Sequence, residues 1–135
     1  MKKVFFIAVF FISLSAFSQE ETVHSIYFES DVHELKVLQS EAVVAFLKVI
    51  DTTRLESISI FGYCDDIGKV DYNYKLSQRR ANGVKDMLVK KGVKLKIIVK
   101  IEGKGKVMID EDLEDNVPEA RAKNRRVDVV LNFKP

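Results

Sequence analysis

The chain has a single cysteine, Cys64, and only two histidines, His24 and His33. One cysteine cannot form an internal disulfide, so the fold must stand on its apolar core. Neither histidine has metal-type spacing with another ligand, and both lie far back in sequence from Cys64. That pattern argues against a thiol nucleophile with an imidazole base and against a zinc site. Charge of one sign is also missing. Lys2 and Lys3 account for the whole formal net charge of +2, so the remainder is neutral. A nucleic-acid binder usually carries a clear basic excess, and no nucleic-acid partner is expected here. No apolar run reaches the ~20 residues that a membrane-spanning helix requires. Internal repeats and low-complexity stretches are absent as well.

What is present suits one domain: 135 residues, 47% apolar and 31% charged. The first residues read as a leader. Lys2 and Lys3 precede the apolar run Val4–Phe11, which continues with small residues to Ala16. Ala16-Phe17-Ser18 then offers a small-x-small cleavage site. Residues 1–18 are therefore expected to be a secretory signal, with one domain over 19–135 and no span in the mature chain. An uncleaved inner-membrane anchor is the alternative. No cysteine follows the run, which argues against a lipid-modified N-terminus. Further on, Lys90 to Lys106 is rich in lysine and Asp110 to Glu119 in acids. These read as solvated faces and a polar loop, with contact to anionic lipid as an alternative for the lysines.

Periodicity outlines the fold. Val23–Phe28 reads as a strand. Leu35, Leu38, Ala42, Phe46 and Val49 make one stripe of a helix over Glu34–Val49. Leu55–Tyr63 is strand-like. Tyr72–Lys90 is an amphipathic helix, stopped at Gly92. Leu95–Ile101 alternates as a third strand. Gly103–Pro118 reads as a polar connection, followed by a helical turn over Glu119–Lys123. Val127, Val129, Leu131 and Phe133 mark a last strand over Arg126–Phe133. The expected class is an α/β two-layer sandwich of the α+β type in the order β-α-β-α-β-β. Its sheet is mixed, its helices lie on one face, and the second and third strands are parallel across a right-handed crossover.

Arg80 is out of place on this plan. It sits mid-face on the second helix, one turn after Leu76 and one before Val84. A buried guanidinium is costly unless paired and hydrogen-bonded, so something anionic should meet it. Asp65 lies fifteen residues earlier, in the loop that enters this helix. Helical side chains tilt toward the N-terminus, and Arg80 is ~12 Å along the axis, so the two can converge. Asn73 falls on the same stripe. A plain internal ion pair between Asp65 and Arg80 is one reading. The other is a zwitterion site: arginine grips a carboxylate, aspartate accepts from an ammonium, and the helix start adds N–H groups. Asp65, Asp66 and Asp71 could together hold calcium, but the EF-hand pattern is absent, and no metal or cofactor is expected.

The run Gly62-Tyr63-Cys64-Asp65-Asp66-Ile67-Gly68, then Asn73, then Leu76-Ser77-Gln78-Arg79-Arg80-Ala81, and finally Asn124-Arg125-Arg126-Val127 resembles the OmpA-like domain. The resemblance runs from about Ile26 to Phe133. It implies non-covalent, non-enzymatic binding of peptidoglycan in the periplasm, through the diaminopimelate of the stem peptide. It implies that Asp65 and Arg80 hold that residue, that Asn73 belongs to the ligand site, and that Cys64, Asn124 and Arg125 support it. A solvated start to the last strand is the alternative for Arg125 and Arg126. Three features depart from the family. Cys64 stands where threonine is usual, Glu29 where aspartate is common, and the acidic 103–118 segment lacks the usual proline. These departures motivate a second reading, in which the same fold serves as an adaptor for other envelope proteins, associated with the cell wall or outer membrane.

Overall fold

The computed structural model describes residues 20–135, so the expected leader lies outside the described residues. The chain runs β1 (Glu20–Tyr27), α1 (Val37–Val49), β2 (Leu55–Cys64), α2 (Val70–Lys90), a 3-10 turn (Leu95–Ile97), β3 (Ile98–Lys106), α3 (Val117–Asn124) and β4 (Arg126–Phe133). The strands form one sheet in the order β1-β4-β2-β3. β2 and β3 are parallel, with α2 as their crossover, while β4 is antiparallel to both β1 and β2. The expected mixed sheet with one helical face is what forms. Among the described residues no helix is long and apolar enough to cross a membrane.

Alternation sets which side of the sheet is dry. Val127, Val129, Leu131 and Phe133 of β4 are all buried, as are Ile58 and Ile60 of β2. Leu76, Val84 and Leu88 of α2 are buried on the helical side of the molecule. Each such side chain is worth about 1.5–3 kcal/mol when fully removed from water. Two glycines let α2 lie directly on the sheet. A Cβ on Gly62 would stand 2.1 Å from the Ser77 carbonyl oxygen, and one on Gly103 would stand 2.6 Å from the Gln78 nitrogen. The approach is locked by side chains of α2. Gln78 Oε1 accepts from the Gly103 N–H at 2.8 Å, and Ser77 Oγ accepts from the Gly105 N–H at 2.9 Å.

Three segments differ from their sequence reading. Leu95–Ile97 is a 3-10 turn and not strand, and β3 instead continues through Gly103–Lys106, which had read as polar connection. Glycines weaken a strand locally, but here they admit the backbone of α2, and this tertiary demand outweighs propensity. α1 begins at Val37, not Glu34, and buries Val43 and Phe46. Leu38 and Val49, expected on the stripe, are 76% and 79% exposed. The run Val43, Phe46, Leu47, Ile50 is a second stripe of the same period, and packing against the sheet selects it. His24 of β1 stacks on Phe46 at 4.7 Å and helps to fix that choice. Tyr72, too, is half exposed and not part of the buried face of α2. α3 is longer than the expected turn. Asn116 caps it by accepting from the Glu119 N–H at 3.1 Å.

Gly62→Ala should lower stability by about 2–3 kcal/mol in urea unfolding, the cost of overpacking a closely packed contact. An alanine variant with wild-type stability would show that α2 does not need this close approach.

Candidate functional site

The site forms where the end of β2, the start of α2, the loop after β1 and the start of β4 meet. Arg80 is its innermost member, at 1% exposure. Helical spacing places it on the buried stripe between Leu76 and Val84, as the sequence predicted. Its guanidinium is held by backbone. Nε donates to the Val32 carbonyl at 2.8 Å, Nη2 to Glu29 at 2.9 Å, and Nη1 to Tyr63 at 3.1 Å. Nη1 also lies 3.6 Å from the Cys64 sulfur, and the Phe28 ring lies 5.1 Å from the guanidinium carbon. Burial pulls the Arg80 pKa below its usual value, Asp65 and Asp31 act against that, and Arg125 adds to it. Arginine remains a cation throughout.

The direct Asp65–Arg80 ion pair, one of the two sequence readings, does not form. Asp65 Oδ2 instead accepts from Arg125 Nη1 at 3.2 Å, and Oδ1 accepts from the Ile67 N–H at 3.1 Å. The reason is the position of the carbonyls. The end of β2 and the loop after β1 present three of them around the guanidinium, and with the Cys64 sulfur these occupy four of its five N–H groups without an anion. Arg125 is fixed from its other side, where Nε donates to the Phe28 carbonyl at 3.1 Å. Its Nη2 has no partner among the described residues.

Asn73 is buried, and its amide group shapes the loop. Nδ2 donates to the carbonyls of Ile67 at 2.8 Å and Lys69 at 3.0 Å. Gly68 between them has φ +96, a conformation that favours glycine. Cys64 donates its thiol to the Asn73 carbonyl at 3.2 Å. Burial pushes that thiol's pKa up.

These residues share one cavity of about 60 Å³, lined by Cys64, Asp65, Asn73, Arg80 and Arg125 together with Asp31. Asp31 was missed as a site residue, because in sequence Glu29-Ser30-Asp31 reads as a turn ending in a helix cap. It has φ 58 and accepts from the Tyr72 hydroxyl at 3.3 Å. Asn124 does not reach the cavity. Its Oδ1 accepts from Arg126 Nη1 at 3.3 Å, and Arg126 lies over the Tyr63 ring at 4.3 Å while pairing with Asp128. The three acids Asp65, Asp66 and Asp71 do not gather either, and no group of three metal-type ligands occurs among the described residues. Asp66 faces α3, where Arg121 Nε donates to it at 2.8 Å and Arg121 Nη2 reaches Glu111 at 2.8 Å.

Two outcomes follow from these environments. The Arg121 hydrogen bond holds the Asp66 carboxyl below its ordinary value. A depressed folded-state pKa contributes stability above the unfolded value of about 3.9, and this is lost as pH falls through the folded value. Asp66→Asn should therefore be less stable than wild type at pH 7, with the gap closing as pH drops below about 4, read by urea unfolding across pH. A constant gap would remove the Asp66–Arg121 tether as its cause. The Cys64 thiol should resist alkylation by iodoacetamide in the folded protein and react once denaturant is added, with mass spectrometry as the readout.

Comparison with known proteins places this geometry. The model of the OmpA family matches residues 27–125. Over 77 residues the chain is 44% identical to outer membrane protein A of Bordetella avium, covering 57% of this chain and 38% of that protein. Over 75 residues it is 41% identical to the peptidoglycan-binding protein ArfA of Mycobacterium tuberculosis, covering 56% of this chain and 22% of ArfA. It thus spans well under half the length of these curated relatives. The crystal structure of the peptidoglycan-associated lipoprotein from Burkholderia pseudomallei superposes with a TM-score of 0.60 at 28% identity, covering 79% of this chain and 88% of that one. On its fold, on the order of its motifs and on the matched span, the chain belongs to the OmpA family.

Proposed function

We propose that this domain binds peptidoglycan without covalent chemistry in the periplasm, by holding the diaminopimelate of the stem peptide. The observation that carries the reading is the charge set around one cavity: two carboxylates, Asp31 and Asp65, and two guanidiniums, Arg80 and Arg125. Such a set is neutral overall and divided in sign. Its complement is a group that is also neutral and divided, an ammonium and a carboxylate on one carbon. Asp65 is the acceptor for the ammonium. Arg80 spends four of its five N–H groups on carbonyls and sulfur, so it offers the carboxylate the one that remains. Arg125 adds its Nη2. Asn73 and Cys64 hold the loop that carries Asp65, while Asn124 acts only on the outer face through Arg126.

The names of the relatives support this reading, since one is a peptidoglycan-binding protein and another a peptidoglycan-associated lipoprotein. The family is one of binding modules and not of enzymes, which agrees with the proposed chemistry: charges are matched and no bond is made or broken. Diaminopimelate is lysine with one more carboxylate beside its terminal amine. A wall with lysine at that position offers the ammonium alone and leaves the arginines without a partner.

Co-sedimentation with purified sacculi tests this. The wild type should pellet with diaminopimelate-containing sacculi, and free diaminopimelate should compete. Asp65→Asn, nearly the same shape, should weaken binding at least tenfold, about 1.4 kcal/mol, measured at a temperature where its melting curve shows it fully folded. Lysine-containing sacculi should bind similarly weakly. Equal binding by Asp65→Asn, or equal binding to both wall types, would overturn the site. Capture of a specific envelope protein with no sacculus binding would favour the adaptor reading instead.

A further inference from the structure

At the other end of α2 the surface is of a different kind. Two shallow grooves adjoin there and share Lys91. One, of about 500 Å³, has an apolar floor of Leu47, Leu55, Val93 and Ile97, with Lys91, Lys94 and Lys96 around it. The other runs along α1, where Lys36 and Lys48 flank Val37 and Val44 and Glu41 is the one acid in the lining. None of these lysines forms an ion pair among the described residues, whereas Lys85, Lys100, Lys104 and Lys123 all do. Large apolar side chains neighbour them in the chain: Val37 follows Lys36, Val49 follows Lys48, and Leu95 lies between Lys94 and Lys96. Val37 and Val49 are largely exposed, and so is Leu95.

Helix electrostatics explains part of this basic end. Lys90 and Lys91 close α2, where a cation suits the helix C-terminus, and Lys48 does the same for α1. Lys36 does not fit that account, because it sits at the N-terminal cap of α1, where a cation is disfavoured and the first turn holds no acid. Lys94 and Lys96 lie beyond the end of α2 altogether. An excess of unpaired lysines around protruding apolar side chains is complementary to a surface that is both anionic and greasy beneath. Lysine stems lie along apolar surface while their ammoniums reach outward, and single apolar side chains enter the interface.

We infer that this face, built by Lys36, Lys48, Lys91, Lys94 and Lys96 with Val37, Val49 and Leu95, docks on the surface of an anionic lipid bilayer. α2 spans about 30 Å at 1.5 Å per residue. The groove ringed by Lys91, Lys94 and Lys96 lies at its C-terminal end and the charged cavity toward its N-terminal end, and the two share no lining residue, so they can be occupied together.

Flotation of the full chain with lipid vesicles is the test. Vesicles containing phosphatidylglycerol should bind more protein than pure phosphatidylcholine ones, and the difference should shrink in high salt. Each lysine near an anionic surface contributes about fivefold, so Lys91→Ser, Lys94→Ser and Lys96→Ser together should reduce binding to anionic vesicles on the order of 100-fold. Val49→Ser with Leu95→Ser should also reduce it, with melting temperatures near wild type. The first 19 residues carry Lys2, Lys3 and an apolar run of their own, so a peptide of residues 1–19 floated with the same vesicles sets the background that is subtracted from every variant. No preference for anionic vesicles in the wild type, or a preference that survives the triple lysine substitution, would overturn the inference. Binding to soluble polyglutamate at this face without vesicle binding would also overturn it and point to an acidic protein. Sacculus binding is measured separately and need not change with any of these outcomes.

Discussion

One buried cation holds the functional end of this domain together. The Arg80 guanidinium joins three pieces of chain that are far apart in sequence: the loop after β1 through Glu29 and Val32, the end of β2 through Tyr63, and α2, which carries it. Hydrogen bonds to a charged group are about twice as strong as neutral ones, and a low-dielectric interior strengthens them further. Each carbonyl left without its donor would cost about 1–3 kcal/mol. The Tyr72–Asp31 and Arg125–Phe28 hydrogen bonds add to this cage, but Arg80 is what joins all three pieces, so the shape of the cavity depends on it.

The rest of the site builds outward from that cage. With Arg80 occupied by carbonyls, Asp65 is left for Arg125, and β4 is thereby tied to the loop between β2 and α2. Arg121 repeats the arrangement one helical turn back, tying α3 to Asp66 on the same loop. The loop is thus held from two sides by arginines and from beneath by Asn73. Consecutive aspartates with opposite directions give one carboxylate to the cavity and the other to the scaffold. The ligand face is consequently preorganised, which lowers the ordering cost of binding.

Much of the fold was legible because its signals are local. Strict alternation marked β4 from Arg126 to Phe133, and helical spacing marked α2 and put Arg80 on its buried face. The ordered motifs around Asp65 and Arg80 named the family. The misreadings arose where two local signals had equal strength or where a tertiary demand opposed propensity. α1 carries two apolar stripes of the same period, and only the sheet chooses between them. Gly103 and Gly105 read as connection because glycine is a poor strand former, yet the close approach of α2 requires glycine at 103 and a φ of +74 favours it at 105.

By itself, then, the sequence determined the class of the fold, the order of its elements, and the presence of a buried arginine near an acidic loop. The tertiary structure alone decided which group each charge would meet. Arg80 meets Val32 and Glu29, 48 and 51 residues away, and Asp65 meets Arg125, 60 residues away. Periodicity reports how a residue faces relative to its own helix or strand. It carries no information about which distant carbonyl or guanidinium the sheet order β1-β4-β2-β3 will bring within 3 Å. The partner of a buried charge is set by topology, and here topology surrounded Arg80 with carbonyls and left Asp65 to Arg125.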